Sequence, residues 1–317
     1  LESGLDNPDG RLNAEESRNK MIMRLNKSLC LGLVMALTAS CGGGASNSST
    51  TTATSSSVDV TKLTEETADN IGSFAFDNSS YSAMIVAGAK VVNVPQLGSW
   101  FLVWVPSDYS SQKTRRVMIA THGTKGTAYA EAKDELSYAQ ANHYAILAPQ
   151  WWMSATDSYL APSDVYQLID TGMRYLTWKH GASLGKAAYE GFSRGSSISY
   201  EVTYWDKAKA TNHIALTISH SGGMPANQLT PFFAQVAQGA YGATPFAGTN
   251  FYMYCGMKDE QWGTQMCQYM TDARNLIEPR GATIVRFIQD PDGSHGGYKT
   301  LSDYHQVAID RFLALTP

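Results

Sequence analysis

Two pentapeptides, Gly181-Ala182-Ser183-Leu184-Gly185 and Gly191-Phe192-Ser193-Arg194-Gly195, carry the G-x-S-x-G spacing that holds a serine hydroxyl on a tight turn between a strand and a helix. With 27 glycines in 317 residues so short a pattern arises by chance, so the flanking sequence has to choose between them. Ser183 follows the helical run Val165 to Gly181 and leads into a strand, the wrong order for a nucleophile turn. Ser193 follows the buried run Ala187 to Tyr189 and precedes "RGSSISYEVTYW", which can start a helix. Gly191 and Gly195 let the backbone turn sharply and let strand and helix approach. The hydroxyl then sits at the carboxyl edge of a sheet, beside a helix N-terminus that favours a developing oxyanion.

A serine hydroxyl is a weak nucleophile at neutral pH and needs a histidine base, itself oriented by a carboxylate. His295 lies in "QDPDGSHGGYKT", a glycine-rich turn between the last expected strand and the last helix, where a loop brings an imidazole back over the sheet edge. His220, at the end of "HIALTISH", is its rival; His143, His180, His213 and His305 sit at element starts or on helices and read as structural. Asp259 follows the strand "NFYMYCG" by a short turn and gives the chain order Ser, Asp, His. Glu260, Asp290 and Asp292 compete, the last two within a "DPDG" turn. A tetrahedral intermediate also needs two donors: the backbone N–H of Arg194, and one from the loop "HGTKGT", where Gly123 or Thr124 is placed to give it. That loop lacks the spacing of a phosphate-binding P-loop. The Arg194 side chain opposes the helix dipole and calls for a carboxylate partner that the sequence does not name.

These residues need a scaffold that brings distant loops to one edge. From about Val58, short apolar runs alternate with longer amphipathic stretches, the pattern of an α/β fold with crossover helices. Strands are expected at 98–106, 116–123, 144–150, 187–191, 213–220, 250–256 and 283–288, and helices at 129–141, 163–179, 265–278 and 302–315. A helix around 228–236 leaves room only for a small cap, so no large lid domain is expected.

A composition of 43% hydrophobic and 16% charged residues describes a globular chain, and a net charge of −4 without a long basic run gives no electrostatic case for a nucleic-acid partner. Residues 1–20 are polar, without apolar periodicity, and read as upstream of a start at Met21 or Met23. Residues 21–40 read as a signal peptide: Arg24 and Lys27, then the apolar stretch Leu29 to Leu37, too short to span a bilayer, then Ala39-Ser40. "LTASC" resembles a bacterial lipobox, which implies a lipid on Cys41 and a membrane anchor, with plain secretion as the alternative. Residues 41–57, almost all Gly, Ala, Ser, Thr and Asn, read as a flexible tether with a reach of roughly 20 Å, ahead of a catalytic domain at 58–317. In an exported chain Cys255 and Cys267 are then an even pair, expected to form a disulfide that clamps the loop presenting Asp259.

"THGT", "GFSRG", "GMKDE" and "GSHGG", in this order from Thr121 to Gly297, resemble the α/β-hydrolase superfamily, in particular secreted esterases similar to polyhydroxybutyrate depolymerases and feruloyl esterases. The resemblance runs from about residue 80 to the end, and departs in lacking the lipase-type HGGG and in having Arg194 inside the motif. It implies a mostly parallel sheet flanked by helices and a carboxylic-ester hydrolase working through an acyl-enzyme, without metal or cofactor. Trp151, Trp152 and Trp262 are expected at the same sheet edge as Ser193, lining a subsite for bulky, aromatic or polymeric esters. A serine peptidase of the same fold and a non-catalytic surface binding protein are the alternatives.

Overall fold

Short, largely apolar runs buried on both faces build the centre of the fold, and each expected strand forms. The computed structural model describes residues 58–66, 78–153, 158–224, 231–300 and 303–317. Contacts divide the chain into Leu1–Thr54 and Ser55–Pro317, and all described residues belong to the second unit. The expected signal peptide, Cys41 and the tether lie outside the described residues.

The strands are β1 (Glu65–Glu66), β2 (Lys90–Val94), β3 (Ser99–Trp104), β4 (Val117–Thr121), β5 (Ala145–Pro149), β6 (Ala187–Phe192), β7 (Ile214–His220), β8 (Asn250–Gly256) and β9 (Thr283–Asp290). They form one sheet in the order β1-β2-β3-β5-β4-β6-β7-β8-β9. The edge β1-β2-β3-β5 pairs antiparallel, and from β5 through β9 every pairing is parallel. Crossing from β5 to β4 and then to β6 reverses the direction of winding, which opens a crevice at the carboxyl ends of β4 and β6.

The helices are α1 (Asn78–Val86), α2 (Ala128–Asn142), α3 (Pro162–His180), α4 (Arg194–Ala208), α5 (Phe232–Ala237), α6 (Gln265–Ile277), α7 (Gly297–Thr300) and α8 (Tyr304–Leu315). Strand alternation sorts the core onto the two faces. Met118, Ala120, Ile146 and Ala188 pack with Tyr129 and Ala132 of α2 and Ile309 and Phe312 of α8. Val117, Ile119, Leu147 and Tyr189 pack with Val165, Leu168, Ile169 and Met173 of α3 and with Val202 of α4. A third cluster joins Phe251, Met253 and Cys255 of β8 to Met266 and Met270 of α6.

Local signals fix the helices that matter for the site. Thr127 caps α2, its hydroxyl accepting from Ala130 N at 3.2 Å. Pro162 opens α3, and Gly181, at φ 68°, closes it in the left-handed conformation. Between β7 and β8 the described residues hold only the short α5, and residues 228–230 of the expected helix lie outside the described residues. Among the described residues no helix is long and apolar enough to cross a membrane.

Candidate active site

Ser193 sits between β6 and α4, at φ 52° and ψ −114°, a backbone conformation strained for a residue with a Cβ. Neighbouring glycines make that turn possible by close approach: a Cβ on Gly191 would lie 2.5 Å from Gly195 O, and one on Gly195 would lie 2.4 Å from Thr121 O in β4. The Ser193 N–H donates to His220 O of β7 at 3.0 Å, and Ser197 N closes onto Ser193 O at 2.9 Å. The amides of Arg194, Gly195 and Ser196 therefore open the helix without partners one turn back, as every helix N-terminus leaves its first N–H groups.

The structure brings Ser193, His295 and Asp259 together across 102 and 36 residues of chain. His295 Nε2 lies 2.9 Å from Ser193 Oγ, and His295 Nδ1 lies 2.5 Å from Asp259 Oδ2. The other oxygen of Asp259 accepts from Gln261 N and Trp262 N, each at 2.9 Å. His295 is held on both sides of its backbone: its N–H donates to Glu260 Oε2 at 2.9 Å, and its carbonyl accepts from Ser221 Oγ at 2.6 Å. Glu260 thus touches the histidine's backbone, while Asp290 accepts from Tyr254 Oη and Asp292 pairs with Lys258. Cys255 and Cys267 are bridged, with Cα atoms 5.2 Å apart. The bridge spans the loop that carries Asp259, and closing a loop of this length is worth about 3 kcal/mol.

Ser183 is placed elsewhere. Its hydroxyl accepts from Arg115 N at 3.1 Å, in the loop before β6, at the opposite end of that strand from Ser193.

Gly123 lies directly against the Ser193 turn, since a Cβ there would be 3.1 Å from Ser193 Cβ. Its carbonyl accepts from Gly126 N at 3.1 Å and from His122 Nδ1 at 2.9 Å, which folds the loop so that Thr124 lines the cavity over Ser193. His122 is buried beneath this loop. Burial lowers its pKa to about 4, partly opposed by the bond to Gly123 O. Trp151 N donates to its Nε2 at 3.4 Å, so its partners ask for the neutral ring with the proton on Nδ1. The folded pKa lies below the ordinary 6.5, so the unfolded chain binds the extra proton; His122 contributes stability above pH 6.5 that is lost as pH falls through about 4, at most about 3 kcal/mol. Urea unfolding should show His122→Asn less stable than wild type at pH 7, with the gap narrowing toward pH 4. A pH-independent gap would contradict this.

The cavity over Ser193 holds about 170 Å³ and is lined by Thr124, Arg194, Gly222, Gln261, Trp262 and Tyr269. Trp262 is 46% exposed, a large indole left open to solvent at the mouth of the site. A second cavity of about 460 Å³ meets the first at Arg194 and is lined by Trp151, Tyr159, Leu160, Ile198 and Glu201 among others. Of the three tryptophans, Trp262 lines the first cavity and Trp151 the second. Trp151 is also a structural residue, 2% exposed, with its indole donating to His122 O at 3.1 Å. Trp152 lines neither of these two cavities: next to Trp151 on an extended chain its side chain points the other way, and it is buried with its backbone bridged to Tyr159. Sequence reasoning did not single out Tyr159, whose ring lies 4.0 Å beneath the Arg194 guanidinium and whose hydroxyl accepts from Lys125 N at 2.9 Å. The one sequence signal for it was an aromatic residue in the segment after β5.

His220, the rival base, faces away from Ser193 into a buried polar cluster behind the site. It stacks on Phe192 and Tyr298, and Phe192 in turn packs against His295. Its Nε2 meets Glu190 Oε1 at 3.0 Å. Burial lowers His220 to about 4 despite that carboxylate. Burial disfavours the charged form of Glu190, but Lys299, His305 and the His220 bond together hold it well below the usual carboxylate range. Burial and the Glu190 charge raise Glu135 to about 7. Glu135, Glu190 and His305 offer three potential ligand atoms within 4.8 Å of one another. The protein's own cations already occupy this ground: Lys299 Nζ lies 3.3 Å from Glu190 Oε1 and 2.7 Å from Glu131 Oε2, and His305 Nε2 lies 2.6 Å from Glu135 Oε1. The cluster therefore compensates its own charge.

No family model and no curated protein sequence matches the chain. Its likeness is to solved structures. It is similar to an esterase from Rhizomucor miehei, with a TM-score of 0.56 and 13% identity over 75% of this chain and 88% of that one. It is also similar to a hyperthermophilic esterase from the archaeon Pyrobaculum calidifontis, with a TM-score of 0.52 and 12% identity over 75% and 88%. An arylesterase aligns with a TM-score of 0.52 and 9% identity over 72% and 82%. At such identities the likeness speaks for architecture alone, and it agrees with the strand order, the winding reversal and the strained Ser193 turn between β6 and α4: this chain has the α/β-hydrolase fold.

Proposed function

We propose that the protein is a serine carboxylic-ester hydrolase that works through an acyl-enzyme. The observation that carries this reading is the hydrogen-bonded series Ser193 Oγ, His295 Nε2, His295 Nδ1 and Asp259 Oδ2, mounted on a strained turn at the carboxyl end of a central strand. His295 takes the Ser193 proton as Oγ adds to the ester carbonyl, then returns it to the departing alcohol. Water repeats the sequence on the acyl-enzyme and releases the acid. The oxyanion is received by the Arg194 N–H and an N–H of the Gly123-Thr124 loop, next to a helix N-terminus. Asp259 holds the imidazole in the tautomer with the proton on Nδ1. The fold that the chain shares with solved esterases is compatible with this reaction class.

The substrate reading is a bulky, aromatic or polymeric ester, supported by the open mouth, the exposed Trp262 and the second cavity beyond Arg194. Export, with Cys41 as a lipid-bearing anchor, would place such an enzyme where polymers are met.

A fluorophosphonate probe tests the assignment directly. Digestion of the labelled protein should yield the adduct on the peptide containing Ser193. Labelling of the peptide containing Ser183, or no labelling of the folded protein, would overturn it.

A further inference from the structure

The Arg194 side chain sits where a cation is electrostatically disfavoured, in the first turn of α4, whose N-terminus already carries partial positive charge. Among the described residues it makes no ion pair or hydrogen bond. Its guanidinium instead lies over the Tyr159 ring, with Cζ 4.0 Å from the ring centroid, and Tyr159 is itself tethered to the Gly123-Thr124 loop through Lys125 N. A cation–π contact of this kind uses none of the N–H groups as hydrogen-bond donors, and a guanidinium's N–H edges match a carboxylate in a two-pronged geometry. Arg194 also lines both cavities, the one that holds Ser193 and the larger one beside it. Glu201 stands seven positions along α4, about 10 Å of helical rise away, so the Arg194 end of the second cavity is the positive end.

Building on the ester-hydrolase reading, we propose that the Arg194 guanidinium, platformed on Tyr159, binds a carboxylate carried by the substrate itself, so that the enzyme selects anionic esters over neutral ones of the same shape. Two kinds of ester present that chemistry: half-esters of dicarboxylic acids, with the carboxylate on the acyl part, and hydroxy-acid esters, with it on the alcohol part. The positive helix terminus, which destabilises the free arginine, adds to the attraction for the bound anion. The carboxylate supplies the partner that Arg194 lacks among the described residues.

The test compares matched pairs of esters. In the acyl arm, p-nitrophenyl hemiglutarate is set against p-nitrophenyl methyl glutarate; in the alcohol arm, acetate release from 3-acetoxybutyrate is set against its methyl ester. Wild-type protein should favour the anionic member in at least one arm, by about tenfold or more in kcat/KM, and the arm that responds identifies the side. In Arg194→Gln that ratio should fall toward one whatever happens to the absolute rates, and Arg194→Lys should restore part of it. In wild-type protein alone, the ratio should also shrink between about 0.01 and 1 M salt, a readout that survives if the variants fold poorly. Neutral-ester turnover with no anionic preference in either arm would overturn the inference while sparing the hydrolase reading. A preference that persists in Arg194→Gln would remove Arg194 from it. Failure of wild-type protein on all four esters would sink both.

Discussion

Ser193→Ala is expected to lower kcat for p-nitrophenyl ester hydrolysis by about 10⁵-fold while leaving the protein folded. On the proposed mechanism the side chain removed is the nucleophile, so what would remain is the contribution of the oxyanion donors and of binding, which do not depend on the hydroxyl. The loss should appear in kcat and kcat/KM alike, because the oxygen acts only once the carbonyl is attacked. Folding should survive because the hydroxyl's one described contact is with His295 Nε2, and the turn is held by backbone bonds from Ser193 N and to Ser193 O. Alanine accepts the same positive φ as serine with the same strain. Ser183→Ala is the informative companion. It has the same spacing of flanking glycines, yet its hydroxyl is engaged with Arg115 N at the other end of β6, so turnover should persist. Retained activity in Ser193→Ala would exclude Ser193 as the nucleophile.

How much of this was legible in the sequence depends on how far each signal travels along the chain. The parallel half of the sheet could be read because β4 to β9 are short apolar runs separated by helices with their own caps and stops. The antiparallel edge was harder. β2 is "KVVNV", whose alternation is broken by a pair of buried valines, β1 is two glutamates, and α1 lacks an apolar stripe, so none of the three carries a period. Around Ser193, order along the chain was informative, because in a wound sheet the loops after successive strands gather at one edge. Partner choice within a loop was less accessible: Asp259 and Glu260 are adjacent, and only the turn made by Gln261 and Trp262 decides which reaches the ring. The cluster behind the site left almost no trace. A glutamate inside the buried run "AAYEGF" reads as an interruption, and its cations, Lys299 and His305, come from more than a hundred residues away. Arg194 was visible as an anomaly, but its aromatic platform belongs to a segment without periodicity.

The division of labour between Asp259 and Glu260 yields the second large effect. Asp259→Asn should lower kcat by about 10⁴-fold, and the geometry gives the reason. Oδ1 accepts two backbone N–H groups, from Gln261 and Trp262, while Oδ2 faces His295 Nδ1. In the variant the amide oxygen has to stay with the two backbone donors, since turning the amide over would set its NH₂ against both. The NH₂ group then points at Nδ1 and can be satisfied only if Nδ1 is an acceptor, which puts the imidazole proton on Nε2. A protonated Nε2 donates toward Ser193 Oγ and cannot accept its proton, so the attack loses its base although every heavy atom is in place. Glu260→Gln keeps an oxygen for the His295 N–H and does not touch the ring, so its loss should stay below about tenfold. Equal losses in the two variants, or a larger one in Glu260→Gln, would mean that the carboxylate orienting His295 has been wrongly assigned.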